Sequence, residues 1–396
     1  MRKLIPLIFL LTSTFSKAQF NTADTSDYPN LRKLIKKENA SLKFDSTDAS
    51  AYVRRADLKM QLQDNKGALA DYTKAISFKP DFSSVYNNRG YAYYNRGIVK
   101  YNLNDFTAAL EDYTKSLEFL IDNPIVYNSI GLTYKKLGND SLALKNYDKA
   151  LQFKPDFAPV LLGRGDLKLI MKDYNGAIED YNKVLVTNPA NAYCYNVRGY
   201  CNYKTGNLSG AIQDYNKALQ YDSTYAEAYN NRGQVKCALK NYEAALRDFD
   251  KSFRYDSTSA MTLSNRGGAK HNLKDLKGAL KDLETAIKLD SNCFNAYINM
   301  GALKLDLKDY KGSLNALNKA VVLDPLNYSS YNNRAGPRSE MGDKDGALED
   351  FNKAIELNPT YADAYESRAA LYKKTGDKKK AKEDLKKAEE LRAPKK

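Results

Sequence analysis

A short phrase that returns at a fixed interval constrains this chain more than any other feature. Tyr229–Gly233 reads Tyr-Asn-Asn-Arg-Gly, and close variants begin at Tyr86, Tyr195 and Tyr331. A second phrase, seen as Ala-Leu-Glu-Asp-Tyr at Ala109–Tyr113, alternates with the first. Its leading residue recurs every 34 residues from position 109 to position 381, and the step before that, from position 68, is 41 residues. Such a chain buries its apolar side chains between neighbouring repeats rather than in one large core.

Each repeat holds two stretches with helical spacing. Counted from Ala49, position 4 is Tyr in most repeats and position 8 is Gly or Ala in all of them, so both lie on one helix face. The small residue lets this helix approach the next one closely. In the second stretch, small residues at positions 20 and 27 flank a large apolar residue at position 24. The pattern predicts interlocking helix pairs.

This pattern resembles the tetratricopeptide repeat, a helix-turn-helix unit of 34 residues. The resemblance covers residues 49–395 and implies an all-α fold, a right-handed α-solenoid whose concave groove is lined by the first helix, helix A, of each repeat. The predicted segments are a signal peptide (1–18), a polar segment with a capping helix (19–48), and ten repeats (49–82, 83–123, 124–157, 158–191, 192–225, 226–259, 260–293, 294–327, 328–361 and 362–395).

Positions 7 and 23 vary together. Position 7 is Arg in eight repeats, and position 23 is Asp in the same eight. The two repeats without Arg, which have Ile130 and Met300, also lack Asp. We therefore infer an Arg–Asp pair that joins helix A to helix B within a repeat. The predicted structural pairs are Arg55–Asp71, Arg89–Asp112, Arg164–Asp180, Arg198–Asp214, Arg232–Asp248, Arg266–Asp282, Arg334–Asp350 and Arg368–Asp384.

The resemblance also implies where a partner binds. Partner polypeptides of this family usually occupy the concave groove, and several groove positions here are Asn or Tyr. Asn donates to and accepts from a peptide backbone, and Tyr adds flat contact area with a polar tip. The candidate groove residues are Asn87, Asn88, Tyr91, Tyr94, Asn128, Asn196, Tyr200, Tyr203, Asn230, Asn231, Asn265, Asn299, Asn332 and Asn333. Position 5 is never Lys, which argues against the basic carboxylate clamp of some members.

Two repeats depart from the pattern. The second has seven extra residues, which look like a duplication of residues 86–92 as 93–99. Seven residues are about two helical turns, so the buried face is kept and helix A is about 10 Å longer. We favour a tolerated insertion over a docking feature. In the ninth repeat, Gly336-Pro337 inside helix A predicts a kink, which leaves a hinge and a weak repeat as the two alternatives.

The chain lacks the residues of common catalytic and metal sites. His271 is the only histidine, which excludes His-based metal sites and Ser-His or Cys-His catalysis. Phosphate-binding, dinucleotide-binding and zinc-protease motifs are also missing from the sequence. Cys194 and Cys201 lie on one predicted helix, about 10 Å apart, too far for a disulfide. A disulfide between Cys201 and Cys237 stays open, although buried free thiols are the favoured interpretation. We expect no enzyme, no metal and no cofactor.

Charge and the N-terminus bear on location and partner. The formal charge is +14, but residues 373–396 hold eleven Lys and Arg against five Asp and Glu, so the excess is clustered. A nucleic-acid surface is therefore not expected. Residues 1–18 combine a basic start, an apolar run and small residues before a cleavage site, which predicts a signal peptide. No later segment is apolar enough to be a transmembrane helix. We expect a periplasmic or secreted protein, with peripheral envelope association left open.

The function predicted from these features is a non-catalytic scaffold that binds partner polypeptides in the concave groove. The alternative is a regulatory or adaptor subunit of an envelope enzyme or assembly complex, docked through its ends or its convex face.

Overall fold

The structure, a computed structural model, describes residues 28–78 and 83–393, without the side chains of residues 28 and 83–89. Within those residues it consists of 21 α-helices and has no strand. The predicted signal peptide and the polar segment up to residue 27 lie outside the described residues. No helix in the described part of the chain combines the length and apolarity needed to cross a bilayer.

A single helix, α1 (Tyr28–Phe44), precedes ten helix pairs. The first helices of the pairs, the A helices, are α2 (Ala49–Gln61), α4 (Ser83–Asn102), α6 (Pro124–Lys136), α8 (Ala158–Ile170), α10 (Ala192–Lys204), α12 (Ala226–Ala238), α14 (Ala260–Asn272), α16 (Phe294–Asp306), α18 (Tyr328–Glu340) and α20 (Ala362–Thr375). The second helices, the B helices, are α3 (Asn65–Ser77), α5 (Phe106–Ser116), α7 (Asp140–Phe153), α9 (Tyr174–Thr187), α11 (Leu208–Tyr221), α13 (Tyr242–Tyr255), α15 (Leu276–Leu289), α17 (Tyr310–Leu323), α19 (Lys344–Leu357) and α21 (Lys378–Arg392).

One turn design joins the A helix of every pair to its B helix. A residue with positive φ follows helix A, as at Gly206 (84°) and Lys240 (58°). The next residue is Asp or Asn in all ten pairs, and its side chain caps helix B. Asn241 Oδ1, for example, accepts from the backbone N–H of Ala244 at 3.2 Å. Because the left-handed residue ends one helix and the cap starts the next, the chain reverses within a few residues.

The small residues at position 8 allow the two helices of a pair to pack closely. A Cβ atom added to Gly131 would lie 2.7 Å from Cε1 of Tyr147, and one added to Gly301 would lie 2.5 Å from Cγ of Leu317. Both large side chains are buried on the B helix. Helix A therefore rests directly on the residue at position 24, and at Gly131 and Gly301 even the methyl group of an alanine would force the pair to shift.

The helices group into two compact units, Met1–Pro189 and Ala190–Lys396. In the first, α1 packs against α2, and its residues Leu31 and Leu42 are buried. The four helix pairs α2–α9 complete the described part of this unit. The second compact unit holds the six pairs α10–α21. In α18 the helix continues through Pro337 to Glu340.

The structure corrects the predicted register of the second repeat. Helix α4 has 20 residues where most other A helices have 13, so the extra residues lengthen it. Asp112 accepts hydrogen bonds from Nε of Arg96 at 2.7 Å and from an η nitrogen of Arg96 at 2.5 Å. The prediction that Asp112 pairs with Arg89 is therefore wrong. Helix B fixes the register, because the Arg and Asp of a pair are 16 residues apart; Arg89, whose side chain is outside the described part, lies further away in sequence.

Candidate functional site

In the second compact unit, neighbouring A helices lie side by side and exchange side-chain hydrogen bonds. Asn231 Nδ2 donates to Oδ1 of Asn196 at 3.1 Å, and Asn265 Nδ2 donates to Oδ1 of Asn230 at 2.9 Å. One step further, Asn299 donates to the backbone oxygen of Ser264 at 3.0 Å. Each bond joins position 6 of one repeat to position 5 of the repeat before it. We call these six residues the asparagine ladder: Asn196, Asn230, Asn231, Ser264, Asn265 and Asn299.

The ladder corrects part of the predicted groove. Asn196 and Asn230 are each 1% exposed, and Asn128 in the first compact unit is 3% exposed. Side chains so deeply buried do not present a surface to a partner, and Asn196 and Asn230 accept the bonds that hold adjacent A helices together. The sequence could not distinguish an asparagine that binds a partner from one that binds the next helix, since both need the same donor and acceptor.

The other predicted asparagines are more open. Asn231, Asn265 and Asn299 are half-exposed at the surface end of the ladder. Asn332 and Asn333 on α18 are half-exposed as well, and Oδ1 of Asn332 is buried without a hydrogen-bond partner. Asn87 and Asn88 lie in the part of α4 whose side chains are not described. The accessible amides of the second compact unit therefore belong mainly to position 6.

The four predicted tyrosines fall into two pairs. Tyr91 is 49% exposed, whereas Tyr94 is half-buried with its hydroxyl 3.2 Å from Oγ of Ser129. In the register set by Arg96 they occupy positions 2 and 5, which are also groove positions of the family. Tyr200 and Tyr203 are half-buried on α10, and Nζ of Lys204 lies 5.2 Å and 5.8 Å from their ring centroids.

A residue absent from the sequence prediction, Glu227, lies in the first turn of α12 beside the ladder. Protein atoms crowd its carboxylate although part of the side chain is open to solvent, and this burial raises its pKa. Hydrogen bonds with Asn196 and Asn231 act in the opposite direction. The hydroxyl of Tyr225 accepts from Asn196 Nδ2 at 3.3 Å. The carboxylate thus stands over a fixed polar cluster on the A-helix side.

Beneath the A helices, position 9 determines whether a buried tyrosine is satisfied. Tyr181 donates its hydroxyl hydrogen to Asp166 at 2.8 Å, and Tyr72 donates to Asp57 in the same way. Burial raises the pKa of Asp57, and the bond from Tyr72 opposes that shift. Two other tyrosines at position 24, Tyr147 and Tyr215, belong to repeats without a carboxylate at position 9, and their hydroxyls are buried without a partner. This relation was readable from the sequence, because position 24 and position 9 can be compared repeat by repeat.

Seven of the predicted Arg–Asp pairs are present with one geometry. In each, Nε donates to Oδ2 at 2.8–2.9 Å and an η nitrogen donates to Oδ1 at 2.5–2.7 Å. The seven pairs are Arg55–Asp71, Arg164–Asp180, Arg198–Asp214, Arg232–Asp248, Arg266–Asp282, Arg334–Asp350 and Arg368–Asp384. The carboxylates are buried, which makes these pairs part of the helix packing rather than ligand contacts.

In most of these pairs a second basic side chain, which the sequence analysis did not identify, binds the same aspartate. Four residues after the arginine, a Lys or Arg reaches Oδ2 of the same aspartate at 2.6–3.0 Å. These residues are Lys59, Lys100, Lys168, Lys236, Lys270 and Arg338. At Asp282 burial acts to raise the pKa, but the bonds from Arg266 and Lys270 outweigh it and the pKa is lowered. The signal in the sequence is a basic residue at position 11 of these repeats.

The cysteines and acidic residues do not form a metal or redox centre in the described part of the chain. None of the four cysteines forms a disulfide, so Cys201 and Cys237 are not joined. Burial raises the pKa of Cys237 to about 11, which makes it a poor nucleophile near neutral pH. No group of three or more metal-ligating side chains was found among residues 28–78 and 83–393.

Two family models match the sequence. One, described as "TPR repeat", matches residues 56–97, 199–238 and 340–376. The other, described as "Tetratricopeptide repeat", matches residues 85–119, 125–157, 226–259 and 362–394. Together the matches span more than half of the chain. No match to this sequence was found among curated proteins.

Several solved structures are similar to this chain at low sequence identity. A tetratricopeptide repeat protein from Parabacteroides merdae is 18% identical, with a TM-score of 0.54 over 63% of this chain and 98% of that protein. Yeast Tom70 is 16% identical, with a TM-score of 0.47 over 96% of this chain and 93% of its own. YrrB, described as a TPR protein with an unusual peptide-binding site, is 24% identical, with a TM-score of 0.35 over 48% of this chain and 97% of its own.

Proposed function

Because this chain belongs to the tetratricopeptide repeat family, we propose that it is a non-catalytic scaffold that binds a partner polypeptide along its A helices. The surface in question is the A-helix face of the second compact unit, which we define by Tyr200, Tyr203, Glu227, Asn231, Asn265 and Asn299. Proteins of this family bind protein or peptide partners, and the neighbours in structure are repeat proteins of the same kind.

The observation that carries this proposal is the ladder beneath that face. It ties four consecutive A helices, α10, α12, α14 and α16, by side-chain hydrogen bonds of 2.9–3.1 Å. A surface held in this way is preorganised, so less conformational entropy is lost when a partner binds. Half-exposed tyrosine rings and amides then offer flat apolar contact together with donors and acceptors for a peptide backbone.

Site-specific photo-crosslinking in the native host tests this. A photoreactive residue replaces Tyr203 on the A-helix face, Lys217 on an exposed side of α11, or Lys386 on an exposed side of α21. We expect adducts of defined mass from position 203 and none from position 217. Adducts only from position 386 or only from position 217 would instead favour the alternative, an adaptor subunit docked through its ends or its convex face. No adduct from any of the three positions would reject both.

We also propose that the protein is exported to the periplasm or beyond. The support is the composition of residues 1–18, where a basic start precedes an apolar run and small residues. Fractionation of the tagged full-length chain and of a chain without residues 2–18 tests this. Export predicts the full chain in the periplasmic or extracellular fraction and the shortened chain in the cytoplasm. Identical distributions of the two chains would refute it.

A further inference from the structure

Among the acidic residues of the A helices in the second compact unit, one differs from the rest. The six A helices of that unit, α10, α12, α14, α16, α18 and α20, carry five carboxylates in all. Asp306 lies 2.9 Å from Nε2 of His271, and Glu340 lies 3.1 Å from Nζ of Lys374. Asp363 and Glu366 both bind Arg392. The fifth, Glu227, forms no ion pair with any residue in the described part of the chain.

The side chains around Glu227 are held in place by the fold. Asn231, which contacts the carboxylate, is anchored to Asn196 at 3.1 Å, and Asn196 is anchored in turn to Tyr225 at 3.3 Å. The buried hydroxyl of Tyr215 has no hydrogen-bond partner. Burial raises the pKa of this hydroxyl, and the negative charge of Glu227 raises it further. The side chain of Glu227 is exposed to solvent, the amides beside it are fixed neutral donors, and the fold supplies no counter-charge.

We propose that Glu227 binds a basic side chain, Lys or Arg, of the polypeptide that occupies the A-helix face. The proposal rests on the proposed function and names the chemistry of the partner. An arginine fork or a lysine ammonium would form charge-assisted hydrogen bonds with the carboxylate, and such bonds are stronger than those between neutral groups. A metal ion fits less well, because a single carboxylate with amide neighbours provides too few strong ligands.

The charges elsewhere on the molecule make this preference distinctive. The formal charge of +14 favours acidic ligands by general attraction, so a preference for basic peptides would have to arise locally. Lys204, a cation on this face, has its Nζ over the rings of Tyr200 and Tyr203 and forms no ion pair with Glu227. Glu227 is therefore the group that should attract a positive side chain.

Panning a random-peptide display library on the full-length protein tests the assignment. The variants are Glu227→Gln, which keeps shape and hydrogen bonding, and Glu340→Gln, which removes the same charge from a paired carboxylate on another A helix. The wild type and the Glu340→Gln protein should enrich peptides with a Lys or Arg at a fixed position. Glu227→Gln should lose that enrichment, and a selected peptide should bind it about tenfold more weakly.

Each other result has a definite meaning. Peptides enriched without any basic preference would overturn the assignment of Glu227 but keep the proposed binding face. Basic peptides that bind the Glu227→Gln protein equally well would also overturn it, because another group would then provide the attraction. If no peptide is enriched, and photo-crosslinking at position 203 also gives no adduct, the proposed function itself fails. A circular-dichroism melt of each variant separates loss of binding from loss of folding.

Discussion

Removing Asp248 tests whether the buried ion network holds each helix pair together. Its side chain is 4% exposed and lies 2.7 Å from Arg232 and 2.6 Å from Lys236. Asp248→Ala leaves two cations facing each other where little water reaches them, so we expect a loss of about 3–5 kcal/mol. Arg232→Ala leaves the carboxylate paired with Lys236, and the expected loss is smaller, about 1.5–3 kcal/mol.

The preceding repeat provides a matched control. Asp214 binds Arg198 at 2.5 Å, but its other partner is the amide of Asn202 at 2.9 Å, which carries no charge. Arg198→Ala therefore leaves a buried carboxylate that has lost its charged partner, and we expect it to cost more than Arg232→Ala. The structure thus predicts an order of effects and not only their presence.

Hydrogen exchange of the full-length chain measures these effects within single repeats. Local opening of α12 and α13 sets the exchange of their amides, and about 1.4 kcal/mol corresponds to a tenfold faster exchange. The double variant of Arg232 and Asp248 should lose at least about 1 kcal/mol less than the two single variants added together. The reasoning is refuted if Asp248→Ala changes exchange less than tenfold, or if Arg232→Ala and Arg198→Ala have equal effects.

Three further predictions follow from single side chains. Pro337→Leu restores a backbone N–H inside α18 and should stabilise that helix by up to about 3 kcal/mol, seen as slower exchange there. Tyr215→Phe removes a buried hydroxyl without a partner and should leave the melting temperature unchanged or higher, whereas Tyr181→Phe removes the hydrogen bond to Asp166 and should lower it. Because the fold raises the pKa of Glu227, its protonated form is favoured and stability falls as the pH rises through that pKa. Glu227→Gln should therefore melt higher than wild type at neutral pH and at the same temperature in acid; a lower neutral melting temperature would contradict this.

The helix pairs were predictable because their determinants repeat. The small residue at position 8 and the large one at position 24 recur in all ten repeats, so this pattern of helix packing cannot be a chance feature of one segment. The register of the second repeat was not predictable from helix A, because the duplication offers Arg89 and Arg96 in the same sequence context. Only the partner helix separates them, since Asp112 lies at the common spacing from Arg96. The sequence around Arg89 and Arg96 does not distinguish them. Only the 16-residue spacing to Asp112, measured across both helices, assigns the pair to Arg96.

The candidate site was predictable only in outline. The sequence places Asn196 and Asn231 on the A helices, but their mutual bond depends on how two helices approach each other. Glu227 escaped notice because position 2 varies among repeats, so periodicity gives it no weight. Glu227 stands out because it forms no ion pair, whereas a carboxylate such as Glu340 pairs with a lysine. The ion pairs of these residues can be identified only from the structure. Residues that repeat identify the packing contacts of the array, and residues outside the repeat pattern, such as Glu227, are the candidates for ligand contacts.

The arginine at position 7 also links neighbouring helix pairs, and its absence is compensated. Besides binding Asp248, Arg232 donates to Oδ1 of Asn216 on the preceding B helix at 2.6 Å. Met300 stands where that arginine would be, so α15 and α16 lack this bridge. Met300 instead belongs to an apolar cluster that runs from Ala260 to Ala316 across two helix pairs. Apolar contact across the junction replaces the ion pair, and replacing a buried ion pair by apolar side chains of similar volume is often neutral or stabilising. A repeat without Arg and Asp is therefore not a weak point by that fact alone, and in this chain positions 7 and 23 change together in both such repeats.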